Sequence, residues 1–367
     1  MASPVEHAAT KEPGYRVLDP VWFNAGPEPA SLVAAPVTPV ARFFARNHGV
    51  IPAGEPATWQ VRVDGLVARP LAFTVAELMD GRFPVQTVAA TLVCAGLRRT
   101  ELMEHREVPG ELGWGLEPVG TATWTGVRLA DVLAGAGVEA GAAHVELTGA
   151  DDVERHGRHF GFGGSIPLAK ARAGEVLLAW GMNGEPLPPL HGGPLRLVVP
   201  GYIGARSVKW LAQVTLRATP SDNYFQRDAY RVLREPSVAD PRSVRAGDEL
   251  GEVPLNAVIV SPEPFARTSA GPLGGARLGH GARQRAPARR GAVGGPRRHL
   301  AARRARGGRG GLDLALLARH GGRDAGAPDG HRPGHGPGGA RHAGVAGRGL
   351  EREGLRQQRL APRGGGR

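Results

Sequence analysis

The composition of the chain breaks at Ser261, and that break decides where a fold can form. From Ser261 to Arg367 the sequence holds 27 Gly, 22 Arg, no Lys, six acidic residues and a single large aromatic, Phe265. So little apolar surface cannot offset the ordering of a backbone at about 1–2 kcal/mol per residue, and disorder is the expectation for 261–367. A packed core must come from residues 1–260. The charge divides at the same place: the 367-residue chain carries +12, the tail alone +16, and residues 1–260 therefore −4. A basic balance ordinarily points to a polyanion partner, but here it belongs to the tail. An Arg/Gly tail can bind single strands by charge and stacking; this one lacks interleaved aromatics and a regular Arg-Gly-Gly period, so nucleic-acid binding is the lesser of two classes.

Cys94 is the only cysteine. That excludes an internal disulfide framework and a multi-cysteine zinc or iron–sulfur site. The N-terminus has no apolar signal core and no twin arginine, and no run reaches the roughly 18 apolar residues of a membrane span, so a cytoplasmic protein without a membrane partner is expected. No Gly-x-Gly-x-x-Gly or Walker signature supports nucleotide binding.

Periodicity gives a coarse map. Residues 1–40, rich in Pro and Ala without a sustained period, fit an arm wrapped on the surface or a flexible leader. Trp59 to Val67 alternates apolar and polar residues up to a turn at Asp64-Gly65, which predicts a strand entering a hairpin. Thr74 is placed to cap a short helix. Val85 to Cys94 is apolar and β-branched, a buried strand ending at the thiol. Trp124 to Leu133 reads as a turn into a short amphipathic helix stopped by Gly135 and Gly137. Val176 to Trp180, Asn183-Gly184 and Leu195 to Pro200 read as strand, turn and strand, with a further strand over Val208 to Leu216. Many short strands with few helices argue for an α+β fold. The division expected is an arm at 1–40, a folded domain at 41–232, a linker and one strand at 233–260, and the tail at 261–367.

Three segments carry chemistry. In Cys94-Ala95-Gly96-Leu97-Arg98-Arg99 a lone thiol lies beside two arginines. It is either a small core residue or a soft ligand to a metal whose other ligands a cofactor supplies. Phe43-Phe44-Ala45-Arg46-Asn47-His48 is either a polar turn after an aromatic anchor or part of a site. His191-Gly192-Gly193-Pro194-Leu195-Arg196, followed by Gly201 to Lys209, interleaves bare backbone donors with cations, as a phosphate-binding surface requires.

Together these segments resemble the sulfite oxidase family of molybdenum enzymes, which includes the assimilatory nitrate reductases. The resemblance runs from Arg42 to Tyr230 through Phe44 to His48, Cys94 to Arg99, Ser165 to Leu168, Leu178 to Pro188, His191 to Arg196 and Gly204 to Leu211, in that order. It implies a sulfite-oxidase-type molybdopterin-binding fold of mixed β-sheets with short helices, followed by an immunoglobulin-like β domain that is truncated or scrambled here. Carried over motif by motif, it implies Cys94 as the thiolate ligand of molybdenum in a molybdopterin cofactor. Arg46, Asn47, His48, His191, Arg196, Ser207, Val208 and Lys209 match positions that contact the pterin and its phosphate. Asp151 matches an acidic pterin contact, with Asp152 beside it as the alternative. Arg46, Arg99 and Tyr230 match the pocket that meets the substrate oxyanion. Leu97 stands where the family usually has Asn.

The implied reaction is oxygen-atom transfer, sulfite to sulfate, with electrons leaving to an external acceptor and no haem or flavin in this chain; nitrate and sulfoxide reduction are the rivals. The family homodimer is in doubt because Pro254 to Val260 looks like the first strand of the dimerisation domain and the pattern then stops. The tail composition is what GC-rich codons yield out of frame, and we hypothesise a frameshift near codon 262. Sequencing that region would end the hypothesis if no alternative frame encodes a Trp-containing β domain.

Overall fold

The computed structural model describes residues 4–105, 107–108, 110–232, 247–261, 273–280 and 319–321. The chain divides into two units, Met1–Arg323 and Asp324–Arg367, and the second lies wholly outside the described residues.

Two sheets build the domain. The first orders its strands Gly163–Pro167, His144–Gly149, Leu211–Arg217, Gln60–Gly65 and Leu71–Thr74. All its pairs are antiparallel except Leu211–Arg217 on Gln60–Gly65, which is parallel, so the sheet is mixed. Alternation explains its faces: Val61, Val63, Val145 and Leu147 point inward while their neighbours are more exposed. The second sheet runs Glu185–Pro186, Leu177–Met182, Val119–Arg128 and Val85–Val93, with Arg196–Val198 also paired to Leu177–Met182. Between the sheets the helix Leu129–Ala136 buries Leu129, Val132 and Leu133 against Phe73, Val127 and Leu178 in one core.

The strand Val85–Val93 explains the placement of Cys94. Its first residues alternate in burial, whereas Ala90 to Val93 are buried throughout, so the chain enters from the surface and ends inside. The Cys94 amide donates to Pro118 O at 2.9 Å, which continues the strand pairing one residue further. Phe43, Phe44, Trp114 and Trp124 pack around this end in a second core cluster.

Thr74 caps the helix Val75–Glu77 in a capping box with Glu77, as its spacing predicts. The stretch Trp124 to Arg128 is strand rather than turn. Val127 is paired on both sides, with Val85 and with Leu178, and the helix begins only at Leu129, with Gly135 inside it. The partner of Leu177–Met182 across Asn183-Gly184 is the two-residue strand Glu185–Pro186; Arg196–Val198 pairs with the same strand after a longer excursion.

Of the two alternatives for residues 1–40, the wrapped arm is found. Arg16–Asp19 and Asn24–Gly26 form a small ladder, Ala25 exchanges two backbone hydrogen bonds with Ala45, and Phe23, Asn24 and Ala25 are buried.

Beyond Ser261 the expectation of disorder needs correction over two stretches. Leu273–His280 pairs antiparallel with Asn256–Ser261 and with Arg319–Gly321. Local β-pairing overrides composition there. Most of 261–367 lies outside the described residues, as does 233–246 of the linker. An immunoglobulin-like sandwich needs two packed sheets, and the described residues form one three-stranded sheet in this region. No helix among the described residues is long and apolar enough to cross a membrane.

Candidate active site

Three loops meet where the Cys94 strand ends. Cys94 is buried at 7 % exposure and its Sγ accepts the Gly96 amide at 3.4 Å. The turn at Gly204 lies directly against it, since a Cβ on Gly204 would sit 3.1 Å from Val93 O; this brings the segment ending at Lys209 beside the thiol. Gly192 has φ +106°, and a Cβ there would come within 2.9 Å of the Lys209 side chain. Any larger residue at 192 would displace the lysine.

The cavity enclosed by these loops spans about 710 Å³, part of it open to solvent. Cys94, Arg46, Asn47, His48 and Tyr230 line it, and so do Asp151, His191, Arg196, Ser207 and Lys209. Ten of the twelve expected site residues therefore meet in one place.

The other two do not line it. Val208 is a core residue whose carbonyl accepts from the Leu197 amide at 2.8 Å, so only its backbone faces the loop. Arg99 starts the short helix Arg99–Met103 and turns to the Leu112 carbonyl and the Glu111 carboxylate, both at 3.0 Å. Of the neighbouring carboxylates, Asp151 is buried in the cavity, whereas Asp152 is exposed and bonds His159 at 2.8 Å. The structure thus chooses Asp151.

Electrostatics set the character of the cavity. Asp151 is the only acidic lining residue, against Arg46, Arg196 and Lys209. Arg196 donates to His191 O at 2.6 Å and Ser207 O at 2.9 Å, and its guanidinium lies 5.0 Å over the Trp124 ring. Burial lowers it to about 9, so it stays protonated at neutral pH. Lys209 donates to Asn47 Oδ1 and to Leu190 O. Burial first, and the Arg196 charge second, hold its ammonium well below the usual lysine range. Desolvation likewise keeps His48 and His191 far below the ordinary histidine value, so both are neutral. Three cations against one carboxylate in a low-dielectric pocket are a charge excess that a bound phosphate would relieve.

Among the same lining residues, Tyr230 Oη lies 2.8 Å from His48 Nε2, and burial raises the phenol to about 12. His48 Nδ1 is buried with no partner. A buried orphan of this kind fits a bound polar group.

Asp151 carries a pH prediction. Burial raises its carboxyl from 3.8 to about 6. Between about pH 4 and pH 6 the folded chain keeps a proton that the unfolded chain has lost, so stability falls as pH rises through that window, by up to about 3 kcal/mol. In the cofactor-free chain Asp151→Asn should match wild type at pH 4 and exceed it at pH 8. Urea denaturation at both pH values checks this; a less stable variant at pH 8 would contradict it.

Sequence patterns did not single out the arm. Asn24, fully buried, accepts from Arg46 at 3.2 Å and from the Asn47 amide at 2.6 Å, while Asn47 Nδ2 donates to Trp22 O at 2.8 Å. Lys11 reaches His191. These contacts span 22 to 180 residues of sequence, so no local pattern could announce them.

Among the described residues no group of three or more His, Cys, Asp or Glu could hold a metal ion. Cys94 can then be one ligand only, with the others brought by a cofactor. A lone thiol, a buried cluster of cations and the orphaned His48 nitrogen fit a molybdopterin.

Comparison with known proteins agrees. Residues 48–225 match the oxidoreductase molybdopterin binding domain. Sulfite oxidase of Gallus gallus is 40% identical over 269 residues, which cover 72% of this chain and 57% of that protein. Nitrate reductase [NADH] 1 of Oryza sativa subsp. japonica is 38% identical over 237 residues, 62% of this chain and 25% of that protein. Among solved structures, the sulfane dehydrogenase SoxCD of Paracoccus pantotrophus superposes with a TM-score of 0.59 at 27% identity, covering 74% of this chain and 66% of that one. The chain spans about half the length of the sulfite oxidases it matches and about a quarter of the nitrate reductase. With its thiol, cation cluster and glycine turns, the region 48–225 of this chain belongs to the molybdopterin binding domain family, and it is similar to the corresponding parts of sulfite oxidases and nitrate reductases.

Proposed function

We propose that the chain transfers an oxygen atom on a small oxyanion, with sulfite oxidised to sulfate as the first candidate reaction. The observation that carries this reading is that Cys94 lines the same cavity as Arg46 and Tyr230 and as the cations Arg196 and Lys209. The cations and glycine turns suit a phosphate, and Arg46 and Tyr230 suit an oxyanion near the thiol.

When bound, the cofactor's molybdenum supplies two-electron oxygen-atom chemistry. Cys94 would hold the metal, Arg196, Lys209 and Ser207 the phosphate, and His48, His191, Asn47 and Asp151 the pterin. Arg46 is fixed by Asn24 and by Asn47 O at 2.6 Å, so its charge meets a dianion without reorganising. Tyr230 keeps its proton on Oη at any working pH and donates a hydrogen bond to substrate oxygen. Arg99 is paired with Glu111, so its net field on the substrate is weaker than that of Arg46. Electrons leave to a separate acceptor.

The test is steady-state turnover of the molybdenum-loaded chain with sulfite and an artificial acceptor, beside nitrate with a reduced dye. Sulfite oxidation well above nitrate reduction is expected. Faster nitrate turnover would move the assignment to nitrate reduction, which the 38% identity to a nitrate reductase also supports.

A further inference from the structure

Lys11 comes from the N-terminal arm, outside the matched residues 48–225. Its Nζ lies 2.9 Å from His191 Nε2 and donates to Val40 O at 2.8 Å and Phe43 O at 3.1 Å. No carboxylate is among these partners. The same His191 feels the charges of Lys11, Lys209 and Arg196 together, so the arm's lysine adds to the cation cluster already described. Burial lowers Lys11 to about 7. A buried ammonium on carbonyls, a neutral imidazole and the Tyr15 ring 5.4 Å away is costly without a carboxylate, and an anion on the far side of His191 reduces that cost.

The rest of the arm is tied to the same wall. Tyr15 donates to Phe43 O at 2.6 Å, Glu12 accepts from Arg42, and Arg16 bonds the buried Glu117 at 3.0 Å. Every one of these ties is made to the segment that precedes Arg46 or to the wall that supports it.

We propose that the N-terminal arm completes the anion site: Lys11 supplies a further positive charge against His191 when a phosphate monoester is bound, and the bound anion in turn locks the arm onto the domain. This rests on the molybdopterin reading above. It makes arm closure and cofactor retention one coupled equilibrium, in which each stabilises the other equally.

The test uses the full chain loaded with molybdopterin. Lys11→Met keeps the length of the side chain and removes its charge; Lys11→Arg keeps the charge. Loss of pterin on dialysis, followed by fluorescence of the oxidised pterin, should be roughly tenfold faster in Lys11→Met and within about twofold of wild type in Lys11→Arg. On the wild-type chain, tryptic cleavage between Arg16 and Val17 should be roughly tenfold slower with cofactor bound than after its removal. Pterin loss from Lys11→Met at the wild-type rate, or cleavage at one rate in both states, overturns the proposal. A wild-type chain that never carries pterin instead overturns the molybdopterin reading, so the two failures are told apart. If Lys11→Met does not fold, the cleavage comparison on wild type still decides.

Discussion

Cys94→Ser is expected to lower turnover by roughly 100-fold or more, about 2.7 kcal/mol of lost transition-state stabilisation. The exchange is nearly isosteric, and at 7 % exposure the side chain has little room to relax, so folding should be undisturbed. What changes is the ligand: a soft thiolate suits the metal and a hydroxyl does not. Pterin content should hold near the wild-type level, because Arg196, Lys209 and Ser207 are held by bonds that do not involve the thiol. Turnover lost with pterin retained would separate a metal-ligand role from a structural one. Equal activity in the variant would remove Cys94 from the chemistry and return it to the core.

Lys209→Met should do the reverse. The ammonium donates to Asn47 and to Leu190 O and lies 4.1 Å over the Trp210 ring, in a site where burial already disfavours its charge. Replacing it by an apolar side chain of similar length removes a buried cation at the cost of two hydrogen bonds, and these changes offset, so the cofactor-free chain should melt within a few degrees of wild type. Cofactor affinity should nevertheless fall by roughly 3 kcal/mol, more than 100-fold, because one charge-assisted bond to the phosphate is lost. Pterin content after gel filtration, set beside the melting temperature of the stripped protein, measures both. A large loss of stability with affinity intact would contradict the account.

Much of this site was legible in the chain because the decisive residues sit in short local patterns. A β-branched run that ends at a single cysteine gives a strand end, which the fold has, and the cations of the glycine-rich segment line the cavity beside it. Thr74 and Glu77 are three residues apart, so a capping box could be read directly. Failures came where position depends on distant pairing. Trp124 to Arg128 looks like a turn by composition, yet two neighbouring strands recruit it into the sheet. Arg99, matched to the substrate pocket by the resemblance, pairs with Glu111 while its charge still acts on Tyr230, an arrangement that no local pattern announces. Asp151 and Asp152 are indistinguishable as letters and face opposite environments in the fold. The arm had no period to read, and its role emerges only from contacts with residues far along the chain.

The tail shows the limit of composition. A glycine-rich stretch that could not build a core alone still supplies Leu273–His280 to the edge of Asn256–Ser261. Strand addition needs backbone hydrogen bonds and few side chains, so low apolar content does not forbid it.

The central claim is that Cys94 and the cation cluster together hold a molybdenum cofactor. Elemental analysis of the full chain, expressed with molybdate and purified, tests this most directly when paired with pterin quantitation and X-ray absorption at the molybdenum edge. The account predicts about one molybdenum and one pterin per chain, with one sulfur fewer around the metal in Cys94→Ser. Protein that is folded and pterin-loaded but shows the same sulfur count in wild type and Cys94→Ser would contradict it.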